Sequence, residues 1–273
     1  MKAGKKALQI ISFFLALTGN AFASERRFTY TYEPETMVQG AHEFEQWITF
    51  RGPRNAAVGQ KNFSRWDFRE ELEFGVNDNY TLALVWDEKV ERFKDPSTGR
   101  EQRESAFEGF GLENKVMIWD PADHSVGLSL YFEPQVSDEK FELEGKIILG
   151  QRIGKDWKWA LNITHAAEWT EDFNKVEGEL EFTTGLTKEL NKNWSLGVEF
   201  RNHNELPEYE KWENTAFFLG PVMTYRRENW WITLTALAQV YGKNYGEDLD
   251  GKSNFELQAH EYANVRCIIG IEF

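Results

Sequence analysis

The chain has 273 residues, with 31 lysines and arginines against 45 aspartates and glutamates, and a formal charge of −14. That balance excludes a nucleic-acid partner, since nothing would compensate the phosphates, and the single cysteine, Cys267, excludes an intrachain disulfide. Beyond the N-terminus no stretch offers about 20 continuous apolar residues, which excludes a transmembrane helix, yet 11 Trp, 9 Tyr and 21 Phe are the residue types that collect at membrane interfaces.

Residues 1–23 have the form of a removable leader. Lys2, Lys5 and Lys6 make a basic head, Ala7 to Thr18 an apolar core, and Ala21-Phe22-Ala23 a cleavage site before Ser24. Loss of those three lysines takes the formal charge from −14 to −17. Residues 24–42 read as a lead-in to the first strand. Within Phe28 to Gly40, Thr29 and Thr31 alternate with aromatics until Pro34 breaks the pattern. This lead-in is expected either outside the body of the fold or tucked into it.

Residues 43–273 then repeat one pattern, apolar and charged residues alternating in short runs between turn signals, the signature of strands with one wetted face. Glu43–Arg51 sets Phe44, Ile48 and Phe50 against Glu43, Glu45 and Arg51. Ser64–Val76 sets Trp66, Phe68, Leu72 and Phe74 against Arg65, Asp67, Arg69, Glu71 and Glu73. After the turn Asn77–Asn79 comes Tyr80–Lys89, with Tyr80, Leu82, Leu84 and Trp86 on one face. A long polar loop is expected over Arg92–Glu104, containing Pro96 and Gly99. Ala106–Trp119 carries Glu113 and Lys115 on its polar face, Val126–Glu133 alternates Leu128, Leu130 and Phe132, and Phe141–Gly150 carries Glu142, Glu144 and Lys146. Trp157–Glu168 follows with Lys158 inward, then Val176–Leu186 with Glu177, Glu179 and Glu181 on one face. Trp194–His203 places Glu199 and Arg201 opposite Leu196, Val198 and Phe200. Thr215–Tyr225 contains Gly220-Pro221, and its facing stays open. Trp230–Tyr241 precedes a polar loop, Gly242–Asn254.

The last nine residues are Val265-Arg266-Cys267-Ile268-Ile269-Gly270-Ile271-Glu272-Phe273. Every second residue back from the terminal Phe273 is apolar, and only Ile268 spoils the alternation. This resembles the closing strand of a bacterial outer-membrane β-barrel, a family whose C-terminal phenylalanine serves as an assembly signal. Glu35 to Glu45 is in addition similar to the opening of the transporter-like barrels grouped with meta-pathway phenol-degradation outer-membrane proteins. The resemblance implies an all-β, antiparallel up-and-down transmembrane barrel of about twelve strands. It also implies a periplasmic lead-in, lipid and lipopolysaccharide around the wall, and contact with the barrel-assembly machinery through the last strand.

Two regularities agree with a barrel. Connections alternate between short and mostly longer polar ones, as periplasmic turns and outer loops do, although the one after the fifth strand is brief. Tyr80, Trp157, Trp194 and Trp230 each open a strand after a short turn, which would set them with Phe273 in one ring at the periplasmic interface.

Charges are assigned to the interior because on the lipid face one costs about 2–4 kcal/mol at mid-membrane. About sixteen acidic side chains then turn inward, against Arg51, Arg65, Arg69, Lys89, Lys115, Lys146, Lys158, Arg201 and Arg266. These form either a salt-bridged filling or the lining of a narrow passage with a negative field. About eight strands give a filled interior and about 16 an open channel, so twelve allow a small or partly plugged one. Glu177, Glu179 and Glu181 repel one another unless cations approach, and Arg201 and Lys158 on the flanking strands are their expected partners. Their spacing alone does not make a metal site, and no cofactor is expected.

The expected function is passive passage of a small solute, of unknown identity, through this acidic, charge-lined lumen. A closed structural or adhesive barrel is the alternative. A rim hydrolase is the third reading, using inward His203 or His260 with Asp250 or Ser253 nearby, although no motif joins them.

Overall fold

Strict two-residue periodicity carried through the whole chain leaves a sheet with an apolar face and a charged face, and closure is the arrangement that leaves no edge unpaired. The computed structural model describes residues 26–273 apart from 55–60, 96, 171, 172, 174, 208, 210, 211 and 247–253. The expected leader, Pro96, Asp250 and Ser253 therefore lie outside the described residues.

Twelve strands form the wall: β1 (His42–Gly52), β2 (Lys61–Asn77), β3 (Tyr80–Lys94), β4 (Glu101–Trp119), β5 (Gly127–Val136), β6 (Lys140–Ile153), β7 (Trp157–Thr170), β8 (Lys175–Glu189), β9 (Trp194–Pro207), β10 (Asn214–Arg226), β11 (Trp230–Asn244) and β12 (Ala263–Glu272). Each pairs antiparallel with its neighbours in sequence, and β12 closes the barrel on β1 with Phe44 opposite Ile271. The chain is thus an all-β, up-and-down barrel. One rim carries Phe273 and mostly short turns (the turn rim), and the other carries mostly longer loops, the brief β5–β6 connection excepted (the loop rim).

The facing follows the alternation. Leu84, Phe110, Phe132, Val198 and Ile271 stand exposed on the outer wall, while Glu43, Glu45, Glu71, Glu113 and Glu199 are fully buried inside. In β10, Ala216, Phe218, Val222 and Thr224 point inward and Leu219 and Met223 outward. Its facing was open from sequence because apolar side chains occupy both sides.

The expected polar loop over Arg92–Glu104 is a correction. β3 runs on to Lys94 and β4 resumes at Glu101, with Lys94 opposite Glu101. A membrane-crossing strand needs about 9–11 residues, and β4 has 19. The hairpin end therefore rises beyond any hydrocarbon belt, where charge on both faces is tolerated and the alternation that marks a strand is lost.

Candidate functional site: a plugged lumen with an outer cavity

The lead-in is inside. Residues 26–34 are all buried, and they form an arch that enters from the turn rim, rises to Tyr30 and returns. Its feet are tied together: the Arg27 backbone N–H donates to Glu33 Oε2 at 2.9 Å and its guanidinium pairs with Glu33 at 3.3 Å. Lys158 pairs with Glu33 at 3.1 Å and Glu35 at 2.5 Å, and Arg27 reaches Glu189 at 2.7 Å. From there Met37 N–H donates to Thr81 Oγ1 at 2.9 Å and leads into β1.

The apex is held by one carboxylate. Glu199 accepts the backbone N–H groups of Thr29 at 3.2 Å, Tyr30 at 2.7 Å and Thr31 at 2.7 Å, and the Thr235 hydroxyl at 2.8 Å. The segment has no strand partner, so its backbone groups need such side-chain partners. Asn162 meets both sides of Tyr32, accepting from its N–H at 2.6 Å and donating to its carbonyl at 2.9 Å.

The arch's aromatics each enter a separate apolar patch on the inner wall. Phe28 packs with Ala160 and Val222, Tyr30 with Ala216, Phe218 and Leu237, and Tyr32 with Trp47, Tyr131, Ile148, Trp231 and Ile268. Ile268, the residue that broke the alternation of the last strand, faces inward for this reason. Two inward glycines make the space: a Cβ on Gly185 would overlap the Phe28 ring, and one on Gly270 the Trp231 indole. Neither Trp47 nor Trp231 was assigned inward from sequence.

Charges fill what remains. Arg26 bridges Glu45 at 2.9 Å, Glu71 at 3.2 Å and Glu73 at 3.1 Å, and stacks over Tyr32 and Trp47. Those three glutamates come close enough together to hold a metal ion, but the guanidinium occupies their centre. Glu113 lies beside the Tyr32 hydroxyl at 3.3 Å, and Lys115 donates to the Glu33 carbonyl at 3.5 Å.

Above the arch, toward the loop rim, lies an open cavity of about 280 Å³. Tyr30, Tyr32, Trp47 and Tyr131 supply its aromatic surfaces. Its charged lining is mostly paired: Arg69 with Glu71, Asp87 and Glu133, Arg51 and Arg65 with Asp67, Lys146 with Glu144, and Lys140 with Glu142.

The glutamate triplet on β8 is split by depth. Glu181 pairs with Arg201 at 2.5 Å and with His203 at 3.0 Å, Glu177 pairs with Lys175, and Glu179 is about half exposed at the mouth. Lys158, expected beside them, is a correction. It faces inward as expected, but it opens β7 at the turn rim opposite Thr187, far along the strand from Glu181. Parity assigns a face but not a depth.

His203 and His260 do meet near the loop rim, with ring centroids 5.0 Å apart. His203 is engaged by Glu181 and Arg201, and His260 Nε2 lies 2.7 Å from Asn214 Oδ1. Among the described residues no serine is hydrogen-bonded to either ring. His260, in the connection before β12, is held well below the ordinary histidine range by burial first and by the neighbouring His203, Arg201, Arg54 and Arg51 next.

Trp157, Trp194 and Trp230 stand partly exposed on the outer wall at the turn rim, where Trp194 and Trp230 flank Tyr225. Tyr80 sits at the same rim, its hydroxyl bonded to Asn114 at 2.8 Å, and Phe273 lies 6.0 Å from His42.

One family model matches residues 20–150 and 137–273, that of a family of unknown function (DUF6662). Among solved structures, the fold is similar to an outer membrane channel from Pseudomonas putida F1, at 10% identity and a TM-score of 0.63, covering 90% of this chain and 100% of that one. It is also similar to the NanC porin, at 10% identity and a TM-score of 0.53, covering 84% of this chain and 100% of the other. Comparison with curated proteins finds no match.

Proposed function

We propose a role for this chain, which belongs to DUF6662, a family of unknown function, from its lumen. The barrel sits in the bacterial outer membrane and passes a small solute through a charge-lined interior that its own N-terminal arch closes at rest. The observation that carries this reading is the way the arch is held. It is fixed by side chains, Glu199 and Asn162 above all, and by no strand pairing. A wall of twelve closed strands does not need that segment for its own hydrogen bonds, so the arch can leave without unfolding the barrel.

The lining then falls into three layers. Glu177 and Glu179 make the mouth acidic, Arg51, Arg201 and Arg266 surround the cavity floor, and Glu43, Glu45, Glu71, Glu73 and Glu113 lie in the turn-rim half. Lining charges of this kind set which solutes enter. The channel and porin of similar fold support a channel-like barrel. The test is single-channel recording of the purified full chain in planar bilayers, alone and as Glu199→Ala. Brief steps that lengthen in the variant are expected. A barrel that stays silent in both forms is a closed structural one, and the proposal fails.

A further inference from the structure

The cavity floor carries an arginine, Arg266, that makes no ion pair among the described residues. Arg266 rests on the Tyr30 ring, 4.0 Å from its centroid, and 5.2 Å from that of Trp47. Its Nε donates to Thr49 Oγ1 at 2.9 Å and its Nη1 to the Thr29 carbonyl at 3.1 Å. Both acceptors are neutral, and among the described residues no carboxylate lies within ion-pair distance of it. Its neighbours differ: Arg51 has Asp67 at 2.6 Å and Arg201 has Glu181 at 2.5 Å. Both are close enough for their charge to act on Arg266, as is Asp67 with the opposite sign. Arg266 lines the cavity, and its Nη2 makes no hydrogen bond among the described residues.

Two further polar groups nearby lack partners. The Tyr30 hydroxyl is buried without a hydrogen bond among the described residues, as are both amide atoms of Asn264. Asn264 is fully buried, two residues from Arg266 on the same inner face, and directly opposite Arg51 across the sheet. Buried polar groups left unsatisfied point to an absent partner, water or ligand.

We infer that this floor is a binding subsite for a small monocarboxylate carried on a planar ring. The planar guanidinium matches a carboxylate in a two-pronged bond. A single guanidinium with no carboxylate in contact suits one negative charge. A phosphate dianion would instead face the nearby carboxylates Asp67, Glu144 and Glu181 across the same small space. The aromatic surfaces of Tyr30, Trp47 and Tyr131 suit a flat body rather than a hydrated ion. This deepens the channel reading, on which it rests for the solute's entry.

The test is calorimetric titration of the folded full-length barrel in detergent with benzoate, with benzamide as its uncharged counterpart, and with inorganic phosphate. Saturable benzoate binding is expected, with benzamide and phosphate at least about tenfold weaker. Arg266→Gln should weaken benzoate by a similar factor, and Arg266→Lys by less. Heat-modifiable migration on gels reports whether each variant is folded, and the benzoate–benzamide comparison needs no variant. Equal binding of benzoate and benzamide, phosphate binding as tight as benzoate, or an unchanged Arg266→Gln affinity each overturns the inference. Conductance steps without benzoate binding reject the subsite and leave the channel standing. Saturable binding in a barrel that never conducts does the reverse.

Discussion

Glu199 on β9 accepts the backbone N–H of Tyr30 at 2.7 Å, so a wall residue and the apex of the arch are joined across 169 positions of sequence. The same carboxylate takes the N–H groups of Thr29 and Thr31. Replacing Glu199 by Ala leaves these donors buried without an acceptor, at about 1–3 kcal/mol for each such group. The arch should then spend more time outside the lumen. Trypsin cleavage after Arg26 or Arg27 reads this directly, and an acceleration of about tenfold is expected from a shift of that size. Glu199→Gln, which keeps one acceptor oxygen, should fall between. Equal cleavage rates in all three proteins would show that Glu199 does not hold the arch.

Gly185 offers a steric route to the same state. A side chain there meets the Phe28 ring, whereas the strand itself tolerates a β-branched residue. Gly185→Val should leave barrel migration on gels unchanged and expose the arch to protease. Adding Phe28→Ala should restore protection. If Gly185→Val alone leaves the arch protected, the arch does not occupy this space in solution.

Acid should loosen the connection that carries His260. Glu256 accepts the N–H groups of Gln258, Ala259 and His260 there, and Gln239 clamps Glu256 and Glu261. In place, His260 is kept neutral by burial first and then by the neighbouring His203, Arg201, Arg54 and Arg51. Undocked, it titrates near its ordinary value of about 6.5. The undocked state therefore binds the extra proton as pH falls, and stability present above about pH 6.5 is lost below it. Hydrogen exchange over Phe255–Tyr262 should quicken between about pH 7 and about pH 5, after correction for intrinsic rates, and His260→Gln should flatten that dependence. A profile equally steep in the variant would assign the effect elsewhere.

The three glutamates of β8 should differ in effect. Glu181 is the partner of Arg201, whereas Glu177 and Glu179 lie nearer the mouth. Glu181→Gln frees a cation at the cavity floor, so reversal potentials should move toward anions more than for Glu177→Gln or Glu179→Gln. Three equal shifts would mean that the mouth alone sets ion preference.

The wall was legible in the sequence because hydrocarbon outside and charge inside impose a period of two. Leu84, Glu71 and Glu113 could be assigned by parity, and the closing strand by the alternation of Val265, Cys267, Ile269 and Ile271. What fills the wall was not legible. Trp47, Trp231, Phe218 and Ile268 are apolar residues facing inward, so they blur the alternation where the arch docks. The arch itself, Phe28-Thr29-Tyr30-Thr31-Tyr32, alternates as a strand would, yet its hydrogen-bond partners are side chains scattered from Glu113 to Arg266. Depth is the other gap. Lys158 and Glu181 share a facing but sit toward opposite rims, and only the register separates them.

The central claim is that residues 26–37 close this lumen. It is tested most directly by recording single channels from the barrel with and without that segment under the same salt and voltage. Removal should convert brief, small steps into sustained, larger ones, with the barrel's gel migration unchanged. Identical conductance and open time in the two proteins would contradict the account.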